Sequence, residues 1–142
     1  VAWREIIAAS LSYPLESHLS AYVLWLHELR LSDLAQVGGK NSSLGEMIGN
    51  LSQLGVSVPG GFATTADAYR EFIQVNKLTE RMQERLAKLD VENVNELVKA
   101  GAEIRGWVMN APLQPALDAA IRTAYRTMCS EAGAQEISVA VR

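Results

Sequence analysis

Val37-Gly38-Gly39-Lys40-Asn41-Ser42-Ser43-Leu44-Gly45-Glu46-Met47 is the stretch on which the reading of this chain turns. Two glycines and a lysine run directly into an apolar stripe, Leu44, Met47, Ile48, Leu51 and Leu54, whose spacing predicts a helix. A helix start leaves backbone N–H groups without intrahelical acceptors, and the helix dipole favours negative charge there. Glycine removes the side chains that would hold a phosphate away, and lysine adds a mobile ammonium. The stretch therefore predicts an anion cradle. A Gly-Gly turn feeding a helix, with an ordinary solvated lysine, accounts for the same residues.

Working outward, Ser43-x-x-Glu46 is a capping box for the helix, and Asn41 or Ser42 would cap a start nearer Lys40. Gly55 is placed to end it in a left-handed conformation with Val56 folding back. Val56 and Val58 alternate with Ser57, predicting a short strand that leads to a second glycine turn, Pro59-Gly60-Gly61-Phe62. Upstream, Ala21 to Leu29 is apolar and rich in β-branched and aromatic residues, which predicts a strand. Arg30 to Gln36 reads as a polar connection.

Downstream, Thr64-x-x-Asp67 opens a helix with Tyr69, Phe72 and Ile73 on its apolar face. Leu78, Met82, Leu86 and Leu89 mark a third, with the intervening charges as a solvated face. Asn93 caps a fourth along Val94, Leu97, Val98, Gly101, Ile104 and Val108, stopped by Pro112. Pro115 suits the first turn of a fifth, through Leu117, Ile121, Ala124, Tyr125 and Met128, which Gly133 closes. Ile137, Val139 and Val141 then alternate with Ser138 and Ala140 as a half-buried strand that stops abruptly on Arg142. Such an ending reads as a cut chain. Residues 1–20 read as an unmatched, poorly ordered extension, with a short docking helix over Trp3, Ile6, Ile7 and Leu11 as the alternative.

The 142 residues suffice for one domain and are too few for a multidomain enzyme. With 49% apolar and 20% charged residues the composition is that of a soluble globular protein. A net charge of −3 argues against a nucleic-acid surface. Cys129 is the only cysteine, so no internal disulfide can form, and a core position in a reducing, cytoplasmic setting is expected for it. His18 and His27 lack the neighbours of a metal site. No membrane span or secretory leader is legible.

The common nucleotide motifs fail. Leu34 stands where a P-loop needs its first glycine, and Asn41 where it needs serine or threonine. No G-x-G-x-x-G is present, and no Ser-His-Asp or Cys-His set can be assembled. Taken together, however, Val37 to Met47, Gly55-Val56-Ser57-Val58-Pro59-Gly60-Gly61-Phe62-Ala63-Thr64-Thr65, Lys99 to Arg105 and Ser138-Val139-Ala140-Val141-Arg142 closely resemble the N-terminal region of the phosphoenolpyruvate synthases, the pyruvate, water dikinases. The likeness runs from about Ala21 to Arg142.

That resemblance implies an α+β fold: the first lobe of an ATP-grasp-like domain, with short strands and about five helices, incomplete in residues 21–142. It implies an enzyme that converts ATP, pyruvate and water to AMP, phosphoenolpyruvate and phosphate through a phosphohistidine, with Mg2+ as cofactor. It further implies that Lys40 and Arg142 contact the ATP phosphates, supported by Gly38 and Gly39. The family's phosphohistidine segment, second ATP-grasp lobe and pyruvate-binding barrel have no counterpart here. The expectation is thus a fragment without catalytic residues or metal ligands of its own, inactive alone, whose partners are ATP, pyruvate and the remaining domains of one enzyme. A related dikinase or antibiotic phosphotransferase with the same nucleotide domain, or a non-enzymatic α/β interaction module, are the alternatives.

Overall fold

A computed structural model describes residues 22–52, 54–56 and 58–142. The expected extension and its helical spacing lie outside the described residues. The fold is α+β, and its described part forms two compact units. One comprises Ser20–Phe72 with Pro112–Arg142, and the other includes Ile73–Ala111.

The first unit is built on a short antiparallel pair, β1 (Val23–Trp25) and β2 (Phe62–Thr64), in the register Val23↔Thr64, Leu24↔Ala63 and Trp25↔Phe62. The strand expected over Ala21 to Leu29 is therefore much shorter. After Trp25 the chain tightens into a 3-10 turn, Leu26–Glu28, because the Leu26 N–H donates to Gly61 O at 2.9 Å and the Leu29 N–H to Leu26 O at 3.3 Å. The apolar run continues because Leu26 and Leu29, three residues apart, both enter the core while His27 and Glu28 stay exposed. A strand would have sent that pair to opposite faces.

The second strand is also displaced. The expected Val56–Val58 strand does not form among the described residues, and the glycine pair Gly60-Gly61 leads into β2. Val58 instead packs half-buried against the core of Leu26, Leu29, Val37, Ile48 and Ala63. Over Arg30 to Gln36 the structure places a second 3-10 turn, Leu31–Asp33, and the beginning of α1 (Leu34–Ser52). Asp33 organises this entry: its Oδ2 accepts from the Arg30 N–H at 2.8 Å, while its own N–H donates to Arg30 O at 3.0 Å.

Helix α2 (Ala66–Val75) starts one residue later than the Thr64 motif implies. Thr65 is the buried cap, and its Oγ1 accepts from the Ala68 N–H at 3.2 Å. α5 (Pro115–Glu131) carries Pro115 in its first turn and is followed by Gly133 at φ 64°, as the sequence predicts. At its start the Gln114 amide donates to Ala68 O on α2 at 3.3 Å, and farther along Cys129 is buried.

The second unit contains α3 (Leu78–Ala87) packed against α4 (Val94–Asn110). Asn93 caps α4 as expected, its Oδ1 accepting from the Asn95 and Glu96 N–H groups at 3.1 and 3.2 Å. Arg85 on α3 reaches Glu103 at 2.6 Å and Glu96 at 3.6 Å, and Arg81 lies 4.0 Å over the Trp107 ring. The expected α4 seam is only partly buried: Val94, Leu97 and Val98 are exposed, and Ala100 supplies the buried contact.

Candidate functional site: the glycine break in the first helix

Helix α1 is two helical pieces joined at Gly38, whose φ of 77° and ψ of 165° are not helical. That conformation is essentially restricted to glycine. The chain thus ends a first turn at buried Val37, breaks at Gly38, and begins a second helical piece at Gly39. Neither a Ser43–Glu46 capping box nor a plain start at Lys40 describes this. Glu46 is drawn away from Ser43, because its Oε2 accepts from the Leu31 N–H at 3.3 Å and its Oε1 from the Asn50 amide at 3.3 Å. Asn41, a cap candidate, reaches back across the break, its Nδ2 donating to Val37 O at 2.8 Å. Ser42 is 1% exposed, and its hydroxyl donates to Gly39 O at 3.2 Å.

Gly45 fixes where this helix lies. A Cβ added there would stand 2.5 Å from the Leu29 Cβ and 2.7 Å from both Leu26 O and Leu29 O. Only a residue without a side chain lets the helix sit directly on the 3-10 turn. Ile48 is buried beside it and Leu44 half-buried, whereas Met47 and Leu54, expected on the same face, are exposed. The apolar stripe is wider than the surface that covers it. At the far end Gly55 takes φ 77°, and the Val56 N–H donates to Leu51 O at 3.1 Å, as the expected left-handed cap requires.

The rigid underside of the break contrasts with its outer face. Gly38, Gly39 and Lys40 are all exposed. A Cβ at Gly38 would meet nothing within 4 Å, so solvent lies over the break. Arg142 is likewise exposed, in the same compact unit. Among the described residues neither Lys40 nor Arg142 makes a side-chain hydrogen bond or ion pair, and none joins the two.

The terminal stretch does not form the expected strand among the described residues, and Val141 is 91% exposed. It is tied down at Ile137 by Tyr125 of α5. The Tyr125 hydroxyl donates to Ile137 O at 3.0 Å and accepts from the Ile137 N–H at 3.2 Å. Spacing alone had placed Tyr125 as one more apolar residue on a helix face. No sequence signal marks the bond, because it joins two elements that meet only in the fold.

Three ionisable groups are held above their ordinary values, each by a hydrogen bond. The carboxylate of Glu71 favours the protonated Tyr22, Glu103 favours the charged Arg85, and Asp118 favours the charged Arg122. A groove of about 580 Å³ in the Ile73–Ala111 unit is lined by Leu78, Arg81, Glu103, Trp107 and Asn110 among others. It includes none of Gly38, Gly39, Lys40 and Arg142. No helix among the described residues is long and apolar enough to cross a membrane.

The described residues form an α+β fold with an exposed glycine–lysine helix start, and the match to known families is specific. Residues 34–142 match the family described as pyruvate phosphate dikinase, AMP/ATP-binding domain, and the chain belongs to that family. Among curated relatives it is 55% identical over 121 residues to the phosphoenolpyruvate synthase of Neisseria meningitidis serogroup B, covering 85% of this chain and 15% of the relative. It is 51% identical over 112 residues to the phosphoenolpyruvate synthase of Escherichia coli, covering 79% of this chain and 14% of the relative. A probable phosphoenolpyruvate synthase of Methanocaldococcus jannaschii is 40% identical over 121 residues, covering 85% of this chain and 10% of the relative. The chain therefore spans only about 15% of the length of the first of these relatives.

Proposed function

We propose that this chain forms the N-terminal part of the ATP-binding domain of a phosphoenolpyruvate synthase. The observation that carries the proposal is the family match over residues 34–142, which includes both the Gly38 break and Arg142. In this reading the phosphates of ATP lie over the break. Gly38 and Gly39 let them approach the backbone, the N–H groups at the start of the second helical piece face them, and Lys40 supplies a countercharge. Arg142 brings a second cation to the same phosphates. Exposure of both side chains, without ion-pair partners among the described residues, supports the assignment.

Such a site positions the nucleotide and neutralises the charge that spreads during phosphoryl transfer. In the cytoplasm the whole enzyme would split two phosphoryl groups from ATP to leave AMP: one is carried by a histidine to pyruvate, and the other is taken by water as phosphate. The histidine, the pyruvate site and the metal ligands belong, in this proposal, to other domains of the same enzyme. Among the described residues no group of three or more His, Cys, Asp or Glu side chains is placed to hold a metal ion.

The test is Lys40→Ala in a full-length enzyme carrying this chain. ATP-dependent histidine phosphorylation should fall by about 100-fold, the scale set by removing one group that stabilises transition-state charge. Unchanged phosphorylation would remove Lys40 from the site. Arg142→Ala should act similarly, and the two losses should be less than additive because both cations serve one phosphate chain.

A further inference from the structure

We infer that Asn41 is a positioning residue for the phosphate cradle, an assignment that rests on the Gly38 break holding the ATP phosphates. The Asn41 Nδ2 donates to Val37 O at 2.8 Å. Val37 is the last residue before the break and Asn41 belongs to the second helical piece, so this bond closes a ring around Gly38, Gly39 and Lys40. In an unbroken helix the Val37 oxygen would accept from the Asn41 backbone N–H, four residues on. Gly38, at φ 77° and ψ 165°, takes the chain off that path, and the Asn41 side chain supplies a donor to the same oxygen.

A backbone in a sparsely populated conformation persists only where its surroundings over-determine it. Packing over Gly38 does not do this, because a Cβ there would meet nothing within 4 Å. The half-buried Asn41 side chain ties one end of the break to the other and supplies the constraint. The bond also has an electrostatic consequence. A carbonyl oxygen facing a phosphate repels it, whereas an N–H attracts it. Val37 O is engaged by Asn41, and Gly39 O by the hydroxyl of Ser42, which is 1% exposed. The oxygens on either side of Gly38 are thereby held on the protein's own donors, while Lys40 beside them is exposed. In this assignment Asn41 acts on the phosphates through the backbone it fixes.

Exchange of side-chain amide protons, followed by NMR on this chain without nucleotide, tests the clamp. The bonded Asn41 side-chain proton should exchange with water about fivefold more slowly than its counterpart on exposed Asn95, the scale of one hydrogen bond. Equal rates would overturn the clamp. In a full-length enzyme carrying this chain, Asn41→Ala should raise KM for ATP about fivefold and leave KM for pyruvate unaltered. Alanine is the better helix former, so such a loss would not come from a weakened helix. In a Gly38→Ala background the same substitution should add nothing, because a straightened helix start gives the Val37 oxygen to the Asn41 backbone N–H. An equal increase in both backgrounds, or none where Lys40→Ala lowers histidine phosphorylation, would defeat the positioning role and leave the phosphate site standing. If Lys40→Ala itself leaves phosphorylation unchanged, the phosphate site fails, and the inference falls with it.

Discussion

At the scale of single residues, two glycines of α1 do different jobs, and substitution separates them. Gly45 has no room: an added Cβ would sit 2.5 Å from the Leu29 Cβ and 2.7 Å from two carbonyl oxygens, so either the helix or the 3-10 turn must move. Gly45→Ala should destabilise the fold by about 3 kcal/mol, at the upper end for overpacking, as read from urea denaturation. Gly38 has all the room it needs but stands at φ 77° and ψ 165°. Gly38→Ala should cost about 1–3 kcal/mol through backbone strain alone, read from the same denaturation curve. It should also weaken nucleotide binding, because relief of the strain would straighten the helix start. A Gly45→Ala variant as stable as the parent would show that α1 does not rest on Leu29 as closely as described.

Among the elements, caps and ion pairs differ in weight. The Asn93 side chain accepts from two backbone N–H groups that α4 would otherwise leave unsatisfied. Asn93→Ala should therefore destabilise by about 1 kcal/mol, seen as a lowered melting temperature in circular dichroism. Arg85 bridges α3 to both Glu96 and Glu103, yet these carboxylates are well exposed, and surface pairs contribute at most about 1 kcal/mol. The cap is the more sensitive site. Caps were also what the sequence showed best. Asn93, Pro115, Gly55 and Gly133 act on groups within a few residues of themselves, so their roles are visible in a linear reading. Thr65 was missed by one position because Thr64 offers the same chemistry, and only the pairing of Thr64 with Val23 settles which one caps.

On the scale of the whole molecule, the chain answers to 15% of the length of a relative such as the phosphoenolpyruvate synthase of Neisseria meningitidis, and the proposed phosphate contacts are two cations and a glycine turn. Calorimetric titration of this chain with ATP should accordingly give no binding heat below about 1 mM, a free energy weaker than −4.1 kcal/mol. Micromolar binding would mean that the chain holds a complete site, against the half-site proposed. Exposed Leu54 on the first unit, and Val94 and Val98 on the second, are apolar surface that the sequence had assigned to helix faces. Periodicity tells which residues share a face. It does not tell whether anything covers that face.

By itself the sequence determined the α+β class, the presence and order of the five helices, the end signals at Gly55, Asn93, Pro115 and Gly133, and the family. These rest on interactions between near neighbours in the chain, or on a pattern of residue types that survives without coordinates. Tertiary structure alone decided where the short strands lie, that the glycine–lysine stretch is a break between two helical pieces, and that Tyr125 clamps Ile137. Each depends on a partner far along the chain: Gly61 draws off the Leu26 N–H, Leu31 claims Glu46, and α5 presents a hydroxyl to Ile137. Those partnerships follow from which elements meet, and spacing along the chain carries no information about that meeting.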